Sequence, residues 1–156
     1  MRASAGRVTG ARLTTSCGAH HRLRGHGPKI LVVYGTLSLG YGFALGIPIS
    51  QARMRSPEAP RHLVLAHLSA IIQGAVHLGL SIALGLSQLT AWLECAGALL
   101  LVAGSGLFVA GASTNWLQGV GDHFAERSLG WKLLAASSVG HVIGMMITIA
   151  GVVTGL

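Results

Sequence analysis

Four apolar runs take up most of the chain, at roughly 29–49, 62–86, 90–113 and 132–156. Each approaches or exceeds the ~20 residues a helix needs to cross a bilayer. Backbone polar groups in hydrocarbon must be satisfied within the segment, which makes each run a helix. The fold class that follows is all-α: an integral membrane four-helix bundle over residues 29–156. No soluble domain remains once the runs are removed. Charged residues are 10% of the chain, against the ~25% of soluble domains, so an integral membrane protein is expected ahead of a water-soluble core. The link Ser87-Gln88-Leu89 is short and makes spans two and three antiparallel neighbours. The two longer connections, 50–61 and the one after span three, fall on one side of the membrane. Span one is expected to stop at Pro48.

Residues 1–28 read as a basic polar tail, disordered, with Arg2, Arg7, Arg12, Arg22 and Arg24 and no acid. The tail lacks the apolar core of a signal peptide. His20, His21 and His26 offer adventitious metal ligands, but a plain basic tail accounts for them. The net charge of +7 invites a nucleic-acid reading. The basic residues sit in the tail or flank the apolar runs, as membrane segments require, and no nucleic-acid motif is present. Nucleic acid is therefore not an expected partner; the lipid bilayer is. Arg12, Arg22, Arg24 and Lys29 on one side nearly balance Arg53, Arg55, Arg61, Arg127 and Lys132 on the other, so the charges assign no orientation. Cys17 and Cys95 make neither a disulfide framework nor a paired metal motif.

Gly97, Gly104 and Gly111 recur at a spacing of seven in span three. Gly42 and Gly46, Gly140 and Gly144, and Gly151 and Gly155 recur at four. Each set shares one helical face, where backbones can approach closely.

Ionisable side chains inside spans are functional candidates by default. His67 and His77 lie in span two and His141 in span four. With spans starting at 62 and 132, the depths of His67 and His141 differ by only about 6 Å, and His77 lies about 15 Å below His67. His67 and His141 are thus expected to converge near one membrane face, with Asn115 and Trp116 from the end of span three. Gly74 falls below His67 on the same stripe and would leave room for a flat cofactor. Gln73 and His77 share an adjacent face. Each histidine also reads as a side chain hydrogen-bonded to a neighbouring helix. Asp122, His123 and Glu126 read as a solvated loop or a metal-binding one, and Glu94 as an intramembrane or interfacial carboxylate. Span one holds no acid, which argues against a small four-span exporter.

His26-Gly27, Ala66-His67-Leu68 with Gln73-Gly74, and Asn115-Trp116-Leu117 resemble motifs of the small membrane isomerases: the styrene oxide isomerases and hydroxylaminobenzene mutases. The resemblance covers residues 26–156, and the Asn-Trp-Leu segment is more similar to the mutase branch. It implies a homotrimer in the bacterial cytoplasmic membrane and, from the epoxide isomerases, haem b with His67 as axial ligand. It places Gln73 where the family has an asparagine and carries the family's span-three asparagine onto Asn115. These two amides would orient the oxygen of a small apolar substrate. The family's tyrosine after that asparagine has no counterpart in the segment 117–121. A ferric haem held by one imidazole is a Lewis acid for an epoxide or N–O oxygen. Two other classes compete: a bis-histidine b-type cytochrome or haem sensor using His67 and His141, and a cofactor-free membrane assembly protein.

Overall fold

The punctuation of the apolar runs sets the helix ends. The computed structural model describes residues 25–121 and 127–155. The expectations for the tail residues Cys17, His20 and His21, and for Asp122, His123 and Glu126, lie outside the described residues. Four helices run antiparallel in sequence: α1 His26–Arg55, α2 Arg61–Leu84, α3 Ala91–Leu117 and α4 Leu129–Gly155. All four are long and apolar enough to cross a membrane. The chain is a four-helix membrane bundle.

Helix α1 does not stop at Pro48; it continues to Arg55. Proline removes one N–H from the ladder, and a membrane helix tolerates that loss where packing re-satisfies the freed carbonyl. The added turns carry Ser50, Gln51, Arg53 and Arg55, polar residues suited to the interface, with the cations favoured at a helix C-terminus. Pro57 and Pro60 then keep α1 and α2 apart.

Helix α3 runs four residues past the expected Ser113 and takes in Asn115 and Trp116. It ends in a Schellman turn. Gly119 has φ 61, its N–H bonds Trp116 O at 3.1 Å, and Val120 N–H bonds Asn115 O at 3.0 Å. Glycine is favoured there because a side chain disfavours the left-handed conformation. Helix α4 starts three residues earlier than expected. Ser128 caps it, its hydroxyl accepting from Trp131 N–H at 3.0 Å and donating to Asn115 Oδ1 at 2.9 Å.

Around five buried leucines, Leu31, Leu45, Leu63, Leu84 and Leu101, the interior is built of small and polar residues, and the outside of large apolar ones. Gly35, Gly74, Ala66, Ala70, Ala98, Gly104, Ser105, Ala112 and Ser137 are buried. Leu37, Phe43, Ile72, Ile82, Val142, Met146 and Val153 are exposed. A water-soluble bundle would reverse this, whereas lipid solvates large apolar side chains and leaves close backbone packing to drive association. The most extensive interfaces are α3 with α4 and α1 with α2, and α3 also touches α1 and α2.

The glycine stripe of α3 forms the α4 interface. A Cβ on Gly97 would stand 2.9 Å from Ile147, one on Gly104 2.9 Å from the His141 nitrogen, and one on Gly111 2.8 Å from the Gly130 carbonyl oxygen. Gly35 and Gly74 face each other where α1 crosses α2, each Cβ position 2.9 Å from the other's carbonyl oxygen.

Candidate functional site

Two histidine environments emerge, divided differently from the grouping expected by depth. His67 is half-buried on the side of α2 that meets α1, and its Nδ1 lies 2.7 Å from Gly42 O. A carbonyl only accepts, so Nδ1 carries the hydrogen and Nε2 presents a lone pair. Nε2 has no hydrogen-bond partner among the described residues. Gly46 lies below the ring edge, a Cβ there standing 3.8 Å from His67 Cε1.

The second environment joins three helices in the buried centre. His77 is 2% exposed and Ser105 is fully buried. His77 Nε2 lies 3.3 Å from Ser105 Oγ, and His141 Nε2 lies 2.9 Å from the same oxygen. Each ring is held from behind by the preceding turn of its own helix: His77 Nδ1 to Gln73 O at 2.6 Å, and His141 Nδ1 to Ser137 O at 3.0 Å. The ring of Tyr34 on α1 stands 5.0 Å from that of His77, tilted by 58°.

His141 therefore pairs with His77 and not with His67. The expected depths assumed a later start for span four. From Leu129, His141 lies about 9 Å deeper than His67 and about 6 Å shallower than His77, by the helical rise. Ser105 is as far from the end of α3 as His141 is from the start of α4, so hydroxyl and imidazole meet at one level. Reading histidines alone missed Ser105, Tyr34 and Tyr41, whose hydroxyl bonds Ser113 Oγ at 2.8 Å. The signal for Ser105 was available: a hydroxyl next to Gly104 on the stripe that faces α4.

The other expected residues are dispersed. A Cβ on Gly74 would stand 2.8 Å from Leu39 Cγ and 2.9 Å from Gly35 O, so α1 fills the room expected for a flat cofactor. Gln73 is about 240° round the helix from His67 by the helical repeat, and its Oε1 is buried without a partner. Asn115 is buried, its Oδ1 taken by Ser128. Asn115 and Trp116 line an open cleft of about 740 Å³ with His62, Arg61, Glu58 and Val120. His62, not His67, is thus the histidine near Asn115; its Nε2 lies 3.4 Å from Gly121 O, which ties the two longer connections together on one side.

An apolar groove of about 560 Å³ runs between α1 and α3, lined by Ile30, Val33, Tyr34, Leu37, Cys95 and Val102. It stops short of Gly42 and so of His67. Glu94 is buried in the first turn of α3, its Oε2 3.1 Å from where a Cβ of Gly25 would stand. No group of three or more His, Cys, Asp or Glu side chains gathers among the described residues in a way that could hold a metal ion.

Fold and site together define the class: a four-span α-helical membrane protein with polar side chains buried between its helices. No family model, characterised protein or solved structure matches the chain.

Proposed function

We propose that the chain is a membrane-embedded isomerase. It holds haem b through His67 and acts on a small apolar oxygenated compound of the epoxide or arylhydroxylamine class. The observation that carries this is the His67–Gly42 contact. Axial and metal-binding histidines donate one ring nitrogen to a carbonyl and offer the other to the metal, which fixes tautomer and ring plane. His67 has that arrangement within the motif that resembles the isomerases, and its Nε2 is unclaimed. Gly46 adds nothing to the fit, since a Cβ there would be in ordinary contact with the ring at 3.8 Å. Nor does Gly74, because α1 occupies its space.

When bound, the haem supplies an open Lewis-acid position for a substrate oxygen. The chain's own part is to hold the imidazole, keep its environment apolar and admit a lipid-dissolved substrate. Exposed Leu68 and Phe43 flank the His67–Gly42 contact in sequence and provide such a surface. Gln73 and Asn115 remain the amides proposed to orient the substrate oxygen. In one bundle Gln73 lies on a different face of α2 from His67, and the homotrimer stays part of this reading as what the resemblance implies. The location that suits this reading is the bacterial cytoplasmic membrane.

The bis-histidine alternative loses support from His141, whose Nε2 is taken by Ser105. The deciding experiment is an absorption spectrum of the detergent-purified protein produced with haem supplied. A Soret band from an open-site haem, lost in His67→Ala, supports the isomerase. A six-coordinate low-spin band lost in both His67→Ala and His141→Ala replaces it with the cytochrome. Colourless protein replaces it with the cofactor-free assembly protein.

A further inference from the structure

Counting hydrogens in the His77–Ser105–His141 cluster leaves it one short. Both Nδ1 atoms face carbonyl oxygens, of Gln73 and Ser137, so both must carry hydrogen. In neutral imidazoles both Nε2 atoms are then bare acceptors. They converge on a single hydroxyl, Ser105 Oγ, which has one hydrogen to give. The 2.9 Å contact to His141 suits a true O–H···N bond. The 3.3 Å contact to His77 is what two facing lone pairs would leave. Nearby on α2, Gln73 Oε1 is a further buried acceptor with no donor. An acceptor left unmet in a low-dielectric interior is costly.

From these contacts we infer that the cluster is a buried proton-binding site, taking up one proton at His77 and passing it through Ser105 to His141. The added proton makes His77 an imidazolium whose Nε2–H donates to Ser105 Oγ, while Ser105 O–H donates to His141 Nε2. Each of the two Nε2 atoms and the Ser105 hydroxyl then has a partner of the right kind. In the relay step His77 gives its Nε2 proton to Oγ as Oγ gives its own hydrogen to His141 Nε2. The His77 Nε2–H and the Ser105 O–H bonds break, a new Ser105 O–H and a His141 Nε2–H form, and the charge moves from α2 to α4 with none created.

Burial opposes a charge here, but two features favour it. Both rings already have a carbonyl on Nδ1, and the Tyr34 ring lies 5.0 Å from that of His77, within cation–π range. The groups facing His77 are Tyr34 from α1, Ser105 and the Leu101 backbone from α3, His141 from α4 beyond that hydroxyl, and the Gln73 carbonyl on its own helix. Between Arg61 and Glu94, Glu94 and Asp122, and from Lys132 onward the sequence carries no charged side chain to compete for the proton.

The test is 15N NMR of histidine-labelled protein in lipid nanodiscs across the histidine range, about pH 5 to 8. His77→Gln and His141→Gln assign the signals. The site predicts that the Nε2 signals of His77 and His141 move together with one midpoint, and that the pair takes up one proton and not two. Ser105→Ala should separate the two titrations, and Ser105→Thr, which keeps the hydroxyl, should preserve the common midpoint. The same behaviour is expected in a His67→Ala background, which separates this inference from the haem reading. Two protons taken up independently, no uptake by either ring, or an unchanged titration in Ser105→Ala would each overturn it. So would a shift of both signals on adding Zn²⁺ at fixed pH, which would make this a metal site. If Ser105→Ala fails to fold, the wild-type proton count still decides.

Discussion

His67 Nδ1 on α2 lies 2.7 Å from the carbonyl oxygen of Gly42 on α1. Gly42 makes the contact possible: a Cβ there would stand 2.6 Å from Ile71 Cγ1, so only glycine lets the two backbones come this close. Inside a helix a carbonyl already accepts one N–H, and its second lone pair serves the imidazole. A glycine spacing and a histidine motif on different spans are thus one device, which fixes the ring and leaves Nε2 available.

The first prediction concerns that nitrogen. His67→Ala should abolish haem retention by the purified protein. His77→Ala and His141→Ala should keep the Soret band, since their Nε2 atoms are directed to Ser105. Gly42→Ala should weaken haem binding without touching the ligand, because the helices must part and the carbonyl moves off Nδ1. Soret absorbance per protein, measured for all four variants, checks this; full retention in His67→Ala would remove the ligand role.

The α3–α4 interface makes a prediction about stability. A Cβ on Gly104 would meet His141 N at 2.9 Å and Ser137 O at 3.0 Å. Gly104→Leu should therefore destabilise by on the order of 1–3 kcal/mol or more, as overpacking does. Gly40 and Gly79 have nothing within 4 Å of a Cβ. Gly40→Ala and Gly79→Ala should be neutral or gain up to about 1 kcal/mol of helix propensity. Thermal unfolding in detergent reads all three, and an unchanged Gly104→Leu midpoint would contradict the packing.

Asn115 is open to a similar separation of roles. Its Oδ1 accepts from Ser128, whose hydroxyl also caps α4. Asn115→Ala and Ser128→Ala should each cost about 1–2 kcal/mol, and the double variant should cost less than their sum because one chain of bonds is broken. If Asn115→Ala retains wild-type stability but loses the proposed isomerisation, its amide serves the substrate and not the cap.

Four crossings return the chain to its starting side. Reporter fusions placed before His26 and after Gly155 should give the same sidedness, and a reporter in the α1–α2 connection the opposite one. Opposite signals from the two ends would mean that one of the four helices does not cross.

The sequence alone determined the class of this protein, because hydrocarbon imposes a demand that each segment meets locally. Length and apolar composition decide whether a run crosses, and the period of Gly97, Gly104 and Gly111 marks a packing face without reference to any partner. The antiparallel order and the shared side of the two longer connections follow from counting spans. Which side chains meet was decided only by the tertiary structure. Depth depends on where each helix begins, and the Ser128 cap moved α4 by three residues, taking His141 from the level of His67 toward that of His77. Rotation depends on which neighbour each face packs against; that turned Gln73 away from His67 and filled the space beside Gly74 with α1. In the sequence Ser105 is one serine among many. It became central because the helix contacts directed two imidazole lone pairs at its single hydrogen, and such a convergence has no local signature in a sequence.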